Sequence, residues 1–223
     1  MPSITRRILS LTVALSATLA AQQPATPKTM TKIEVILQSP DAPEGSFAAK
    51  PRVMYFAGTA YGRVEEALDT VQNTHGLAII HEPDFWMINL VDNTAHHAVD
   101  PGPTFNIHMP IFPYRVHELP DDQKSKLQNL EFTHELEYFK AAGATPQKGM
   151  VLQGKDTMMY VVNIADAKLA LFTYGSPERP LSVVWTRGEE HDILWYSGYG
   201  ELPFDPKLFI KPANVTVQES QPH

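Results

Sequence analysis

Short runs in which apolar and polar residues alternate recur along most of the chain. The first starts at Lys32, where Ile33, Val35 and Leu37 are separated by Glu34 and other residues. A period of two is typical of β-strands, because successive side chains point to opposite faces of a sheet. Similar runs lie at 52–57, 60–67, 76–82, 85–91, 95–100, 150–153, 157–163, 169–174, 181–187 and 191–199. Turn-forming Asn, Asp, Gly and Pro separate them, so the pattern predicts an antiparallel sheet or barrel of ten or more strands.

The strands predicted between residues 76 and 100 carry apolar side chains on both faces. A two-residue turn at Pro83-Asp84 places His81 opposite Trp86, and the next turn, at 92–94, places Trp86 opposite Asp100. In this register one face holds Trp86, Ile88, Leu90, Leu77, Ile79 and Ala98, and the other holds Met87, Phe85, Ile80 and Val99 beside Asn89 and His97. A sheet with one wet face is excluded by this pattern, so another element must cover the second face.

A second hairpin is predicted near the end of the chain. Gly188-Glu189-Glu190 forms its turn, and the alternation then places four large apolar residues on one face. These are Val183, Trp185, Ile193 and Trp195.

One interior stretch departs from the strand pattern. Residues 121–130 begin with acidic residues, continue with lysines and carry leucines three positions apart, and residues 133–142 end before Gly143. These features favour two short helices. The run 135–139 also fits a strand, but helices supply the missing cover for the sheet.

The N-terminal residues are predicted to lie outside the fold. Arg6 and Arg7 precede an apolar run from Ile8 to Leu19, and Ala20 follows. This order is typical of a secretory signal peptide, and the run is shorter than the roughly 20 residues needed to cross a bilayer. We therefore expect residues 1–20 to be a signal peptide, 21–31 a flexible lead-in and 32–223 a single β-rich domain. The protein is expected in the periplasm or outside the cell, with no stable membrane anchor.

Composition narrows the function classes. The formal net charge of −7 argues against a nucleic-acid partner, because phosphate binding requires Lys and Arg. The chain has no cysteine, and it has no nucleophile elbow, zinc-protease helix or phosphate loop. His81 and Asp100, with a further histidine, are the best candidates for a metal or general-base site, but two ligands are fewer than zinc sites use. We therefore expect neither a cofactor nor a catalytic residue.

Several large apolar residues lie in predicted strands whose two faces are both apolar. Methionine is frequent among them, and its flexible side chain adapts to variable apolar partners. A pliable apolar cavity is one explanation of this surplus, and an ordinary packed core is the other. The residues are Met54, Tyr55, Phe56, Met87, Met109, Met158, Met159 and Tyr160.

The chain resembles the periplasmic lipoprotein-carrier (LolA-like) superfamily. The resemblance rests on the segment Phe85 to Ala95, on the closing hairpin Trp185 to Tyr199, and on the run Leu202 to Pro212 that follows it. It implies a curved, incompletely closed barrel of about ten strands, capped by short helices, whose concave apolar face holds acyl chains. Such carriers begin with an amphipathic helix, which residues 21–31 cannot form, so a lid would have to come from 121–142.

Three hypotheses for function follow. The first is a non-catalytic exported protein that binds a lipid or the acyl chains of a lipoprotein in an apolar concave pocket. The second is a structural or envelope-interaction protein without a ligand, whose fold could also be a two-sheet sandwich. The third is a histidine-based metal-dependent enzyme. For the first, the predicted ligand-binding residues are Trp86, Met87, Ile88, Leu90, Met158 and Tyr160.

Overall fold

A single curved sheet of twelve strands, which does not close into a barrel, forms most of the structure. The computed structural model describes residues 26–40, 49–100 and 107–219. The strands are β1 (Thr29–Gln38), β2 (Arg52–Ala57), β3 (Tyr61–Glu66), β4 (Gly76–His81), β5 (Asp84–Asn89), β6 (Thr94–Val99), β7 (Gln147–Lys148), β8 (Met158–Ile164), β9 (Ala167–Tyr174), β10 (Arg179–Arg187), β11 (Glu190–Pro203) and β12 (Thr216–Glu219). Their order across the sheet is β12-β6-β5-β4-β3-β2-β1-β11-β10-β9-β8-β7. The predicted mainly β fold class is confirmed.

Two meanders joined through β1 explain this order. Strands β1 to β6 follow one another across one half of the sheet, and β11 pairs with β1 to start the other half. All pairs are antiparallel except β12, which lies parallel to β6. The predicted signal peptide lies outside the described residues, and the sheet begins at Thr29, within the predicted lead-in.

The predicted helices between the two meanders are confirmed, with narrower bounds. They are α1 (Asp121–Gln128) and α2 (Glu135–Ala141), and a 3-10 helix at Pro113–Glu118 precedes them. Acidic residues occupy the first turn of each α-helix, where they oppose the positive end of the helix dipole. None of the helices in the described ranges is long and apolar enough to span a membrane.

Residues 107–144 cover one face of the sheet, which we call the inner face. Their apolar side chains pack against those of β1–β3 and β8–β11 in one large cluster. Leu127, Phe139 and Trp185 are fully buried in this cluster. The segment predicted as a lid thus provides most of the inner core, as a layer of helices packed on a sheet.

The C-terminal segment, residues 203–219, crosses the opposite face, which we call the outer face. Phe209 packs there with Met30 and Ala57, and Val215 packs with Leu77 and Ile79. Strand β12 then adds to the edge of the sheet beside β6. The second apolar face of the 76–100 meander is therefore covered by the chain's own C-terminal segment, which the sequence analysis did not foresee.

The structure corrects the predicted register of the 76–100 meander. His81 pairs with Asp84, so the turn is Glu82-Pro83, and Trp86 pairs with Ile79 rather than with His81. On the other side Trp86 pairs with His97, not with Asp100. The faces predicted for β4 and β5 are correct, because that register was wrong by two residues, whereas those of β6 are reversed because its register was wrong by three residues.

Two further predictions were wrong: the register of the hairpin between β10 and β11, and the strand at 150–153. Val184 pairs with Ile193, and Trp185 pairs with Asp192, so Trp185 lies on the inner face while Trp195 lies on the outer one. The turn of this hairpin begins at Gly188, with Arg187 paired to Glu190. Residues 150–153 do not form a strand but belong to the loop between β7 and β8.

Candidate functional site

The six predicted ligand-binding residues lie in three separate places. Trp86, Ile88 and Leu90 belong to the outer-face cluster that contacts Val215. Met87 points to the inner face and is 56% exposed. Met158 and Tyr160 lie on β8, at the far end of the sheet, where they pack in the inner core.

Tyr160 has a structural partner of its own. Its hydroxyl donates to the carboxylate of Glu178, at 2.8 Å from Oε2, and the Thr173 hydroxyl donates to the same oxygen at 3.0 Å. Burial is the main cause that raises the pKa of Tyr160 to about 12.

The six predicted ligand-binding residues do not line one pocket, because they lie on both faces of the sheet and because β5 and β8 are separated by seven strands.

A cleft of about 510 Å³ opens on the inner face of β3–β6. The side chains of Val64 and Ala78 lie on its wall, and Met109 approaches from the covering segment. Phe85 and Met87 line it from β5. Among the described residues the helices pack over β8 and β9 and not over the inner face of β5 and β6, where the cleft lies.

Polar groups border this apolar cleft at the strand ends. Asn89, Thr94 and His96 contribute to its lining at β5 and β6. Gly76 also lines it, and its backbone N–H donates to Glu66 Oε1 at 2.7 Å. Lys50 Nζ lies 3.3 Å from that carboxylate. A nearly buried ion pair thus lies beside one end of the cleft.

The cleft combines features that suit a small apolar ligand. Its volume lies in the range of small-molecule sites, roughly 300–1,000 Å³, and its wall is mostly apolar with a few polar groups at the edge. Methionines on two sides can adjust to ligands of different shape.

Sequence reasoning identified only part of this cleft. Met87 and Ile88 both border it, and Ile88 does so although it is buried in the outer cluster. Met109 was noted among the surplus methionines. Val64 and Ala78 were missed, because a strand pattern does not show which face of β3 and β4 remains uncovered.

The histidines do not form a metal site in the described residues. No group of three or more His, Cys, Asp or Glu side chains there could hold a metal ion. The ring of His81 packs 4.7 Å from the ring of Tyr61. His97 Nε2 lies 2.7 Å from Asp84 Oδ1, and this pair is on the outer face.

Trp86 is part of a stack that holds the C-terminal segment. Its ring lies 3.8 Å from the His97 ring at an interplanar angle of 13°, and Lys211 Nζ lies 5.6 Å from the indole. Because Trp86 is half-buried and points to the face of β5 opposite the cleft, we expect Trp86→Ala to cost about 2–3 kcal/mol of folding free energy and to leave binding in the cleft unchanged. Urea midpoints and ligand retention, measured on the wild type and on Trp86→Ala, check this. A variant that loses the ligand but keeps its stability would show that Trp86 takes part in binding.

Comparisons with known proteins give a fold but no family. No protein-family model and no curated protein matches the chain in sequence. An uncharacterized conserved protein from Thermus thermophilus is similar in structure, with a TM-score of 0.50 and 12% identity over 86% of this chain and 91% of that one. PNGF-II has a TM-score of 0.35 and 6% identity, over 86% of this chain and 32% of that one.

A LolA superfamily protein from Nitrosomonas europaea has a TM-score of 0.30 and 11% identity, over 83% of this chain and 91% of that one. The predicted resemblance to that superfamily is thus weak and structural only. The similarity to the Thermus protein supports a shared fold and nothing about function.

Proposed function

We propose that the protein binds an apolar ligand, the acyl chain of a lipid or of an acylated partner, in the cleft on the inner face of β3–β6. The observation that carries this proposal is an apolar cleft of about 510 Å³, which the described residues leave open, in a sheet whose inner face otherwise packs against residues 107–144. The role is non-catalytic, and the ligand is held by burial of apolar area at about 25 cal/mol per Å².

Met87 supports the proposal most directly. A side chain of this size that is 56% exposed on the inner face leaves apolar surface in water. Neighbouring Phe85 and Ala78 extend that surface across two strands. An acyl chain seated in the cleft removes this surface from water, which provides the driving force for binding.

Met87→Glu is expected to weaken binding of cis-parinaric acid, a fluorescent fatty acid, about 10- to 100-fold. The substitution removes an apolar contact worth roughly 1.5–3 kcal/mol and places a carboxylate beside the chain. Fluorescence titration of the delipidated protein measures the change.

Val99→Glu is the matched control, since Val99 is also 56% exposed but belongs to the outer face of β6. The control should bind the probe like the wild type. Equal weakening in both variants, or none in Met87→Glu, would exclude the cleft as the site. A wild type that takes up no probe would overturn the proposed function and favour a structural role.

The proposal includes export to the periplasm or beyond, on the basis of Arg6, Arg7 and the apolar run that follows them. Native mass spectrometry of protein isolated from its host measures both the mass of the protein and the mass of any bound ligand. The protein mass reports whether cleavage has occurred near Ala20, and the bound mass reports a co-purifying lipid. An intact start at Met1 or Pro2 would contradict export by cleavage.

A further inference from the structure

A second apolar surface lies on the outer face of β8–β11, far from the cleft. It consists of Met159, Ala170, Phe172, Val184, Ile193 and Trp195, around a hollow of about 440 Å³. The C-terminal segment packs on the other half of the outer face, over β1–β6. We call these six residues the outer patch.

The loop between β7 and β8 extends the outer patch with exposed apolar side chains. Met150 is 62% exposed and Val151 is 65% exposed. Both are held in a defined turn. The Thr157 hydroxyl donates to the carbonyl of Met150 at 2.6 Å, and the backbones of Leu152 and Lys155 exchange two hydrogen bonds.

Gln153 and Gly154 form the tip of this turn with positive φ angles of 51° and 74°. Such angles are those of a tight hairpin turn. The loop therefore presents two neighbouring large apolar side chains to solvent at a fixed position. A fixed pair of this kind needs an apolar environment to contact, since its exposure to water is unfavourable.

Two basic side chains lie beside the loop and the outer patch. Lys155 follows Met150 and Val151 in the loop, and Lys168 lines the hollow. Lys148 pairs with Met158 and therefore points to the inner face. Lys155 Nζ lies 3.7 Å from the ring centroid of Tyr174. The ion pairs between described residues use other cations: Lys32, Lys50, Arg63, Arg115, Lys124, Arg187 and three histidines.

Nearby acidic groups are mostly engaged elsewhere. Asp166 pairs with Arg187 at 2.9 Å, and the carboxylate of Glu178 accepts from Tyr160 and Thr173. Asp156, next to Lys155, is the acidic residue of the loop itself. Lys155 and Lys168 thus form no ion pair with the described residues and can attract an anionic partner, in a chain whose formal net charge is −7.

We propose that the β7–β8 loop and the outer patch dock on the surface of a membrane that contains anionic lipids. Met150 and Val151 enter the boundary between headgroups and acyl chains, while Lys155 and Lys168 face lipid phosphates. Apolar insertion combined with attraction between lysines and anionic headgroups is sufficient for peripheral binding. This surface is separate from the cleft, so the proposal does not depend on ligand binding in the cleft.

The absence of cysteine permits a local test on the full chain. Val151→Cys is labelled with the environment-sensitive dye NBD and mixed with vesicles of phosphatidylglycerol and phosphatidylcholine. We expect a blue shift and a several-fold rise in emission, absent with pure phosphatidylcholine. Val71→Cys, at a position that is 94% exposed in the β3–β4 loop, is the matched control and should not respond.

Charge is tested separately. Lys155→Gln combined with Lys168→Gln should weaken the response of the Val151 label about 10- to 30-fold, because each lysine near an anionic surface contributes about three- to fivefold in affinity. Salt should have the same effect, since screening shortens the range of the attraction. Unlabelled Met150→Ser, Val151→Ser protein should also lose vesicle binding in sedimentation.

Three outcomes would overturn the proposal. The first is no response of the Val151 label to any vesicle, and the second is an equal response of the Val71 label. The third is self-association, detected by light scattering, that disappears in the Met150→Ser, Val151→Ser protein while vesicle binding persists unchanged. That result would identify a second copy of the chain as the partner of this surface.

Discussion

Arg115→Ala is expected to lower the free energy of unfolding by about 3–5 kcal/mol, the largest effect of any substitution considered for this protein. Arg115 lies in the 3-10 helix at Pro113–Glu118 and its side chain is 3% exposed. Its Nε and Nη2 donate to the two carboxylate oxygens of Asp192, at 2.7 and 3.0 Å. The variant leaves that carboxylate buried without its main partner.

The ion pair between Arg115 and Asp192 connects the covering segment, residues 107–144, to the sheet. Asp192 belongs to β11, its side chain is 0% exposed, and the hydroxyl of Tyr114 also donates to it at 2.9 Å. Burial by itself raises the pKa of Asp192, but the hydrogen bonds from Arg115, Ser39 and Tyr114 outweigh this and hold that pKa below its usual range. A lowered carboxyl pKa stabilises the fold above the pKa of the unfolded chain, and this contribution is lost as the pH falls through the folded pKa.

Lys124→Ala provides the control for the Arg115 prediction. Lys124 pairs with Asp121, whose side chain is 95% exposed, so its loss should change stability by less than about 1 kcal/mol. Urea unfolding at pH 7 measures both variants. Equal midpoints for Arg115→Ala and Lys124→Ala would show that the buried pair contributes no more than a surface pair.

The sequence was sufficient to predict the fold class, because period-two alternation is a local property of each strand. The acidic start at 121 and the stop at Gly143 are local signals that favoured helices, whereas the run 135–139 also fitted a strand and was assigned to a helix because the sheet needed a cover. The register in which the strands pair was harder to predict from the sequence. An error of one residue at the turn after Trp185, and of three residues at the turn before His97, reversed the relative faces of the paired strands, because neighbouring side chains on a strand point to opposite sides.

The candidate site was predicted less well, because it is formed by contacts between residues that lie far apart in the sequence. The cleft is bounded by what the helices leave open, and no local pattern shows where residues 107–144 stop. Trp86 and Ile88 have the composition of a cavity wall, but Val215 and Lys211, more than a hundred residues later, lie against them. Met87 keeps its place in the candidate site because it alternates with these two along β5.

Glu135→Gln is expected to remove a large pH dependence of stability. Glu135 starts α2 with 1% exposure, and its Oε1 accepts from the Tyr196 hydroxyl at 2.6 Å and from the Thr133 N–H at 3.1 Å. Burial raises its pKa to about 7, although those hydrogen bonds lower it. The folded state therefore retains the proton while the unfolded chain releases it near the ordinary glutamate pKa of about 4.3.

The sign of the Glu135 effect follows from linkage. Because the folded pKa is the higher one, stability is greatest below the unfolded pKa and is lost as the pH rises through about 7, by roughly 3.5 kcal/mol in all. Glutamine keeps an oxygen that can accept from Tyr196 but cannot ionise, so the loss of stability between pH 5 and pH 8 should shrink by about 2.5 kcal/mol in Glu135→Gln. Glu137→Gln, exposed on the same helix, should keep most of the wild-type pH dependence, because the charge of Glu137 is the smallest of the causes that act on the pKa of Glu135. Urea midpoints at both pH values decide the question, and a Glu135→Gln profile parallel to the wild type would show that this carboxyl ionises in the folded protein as easily as in the unfolded chain.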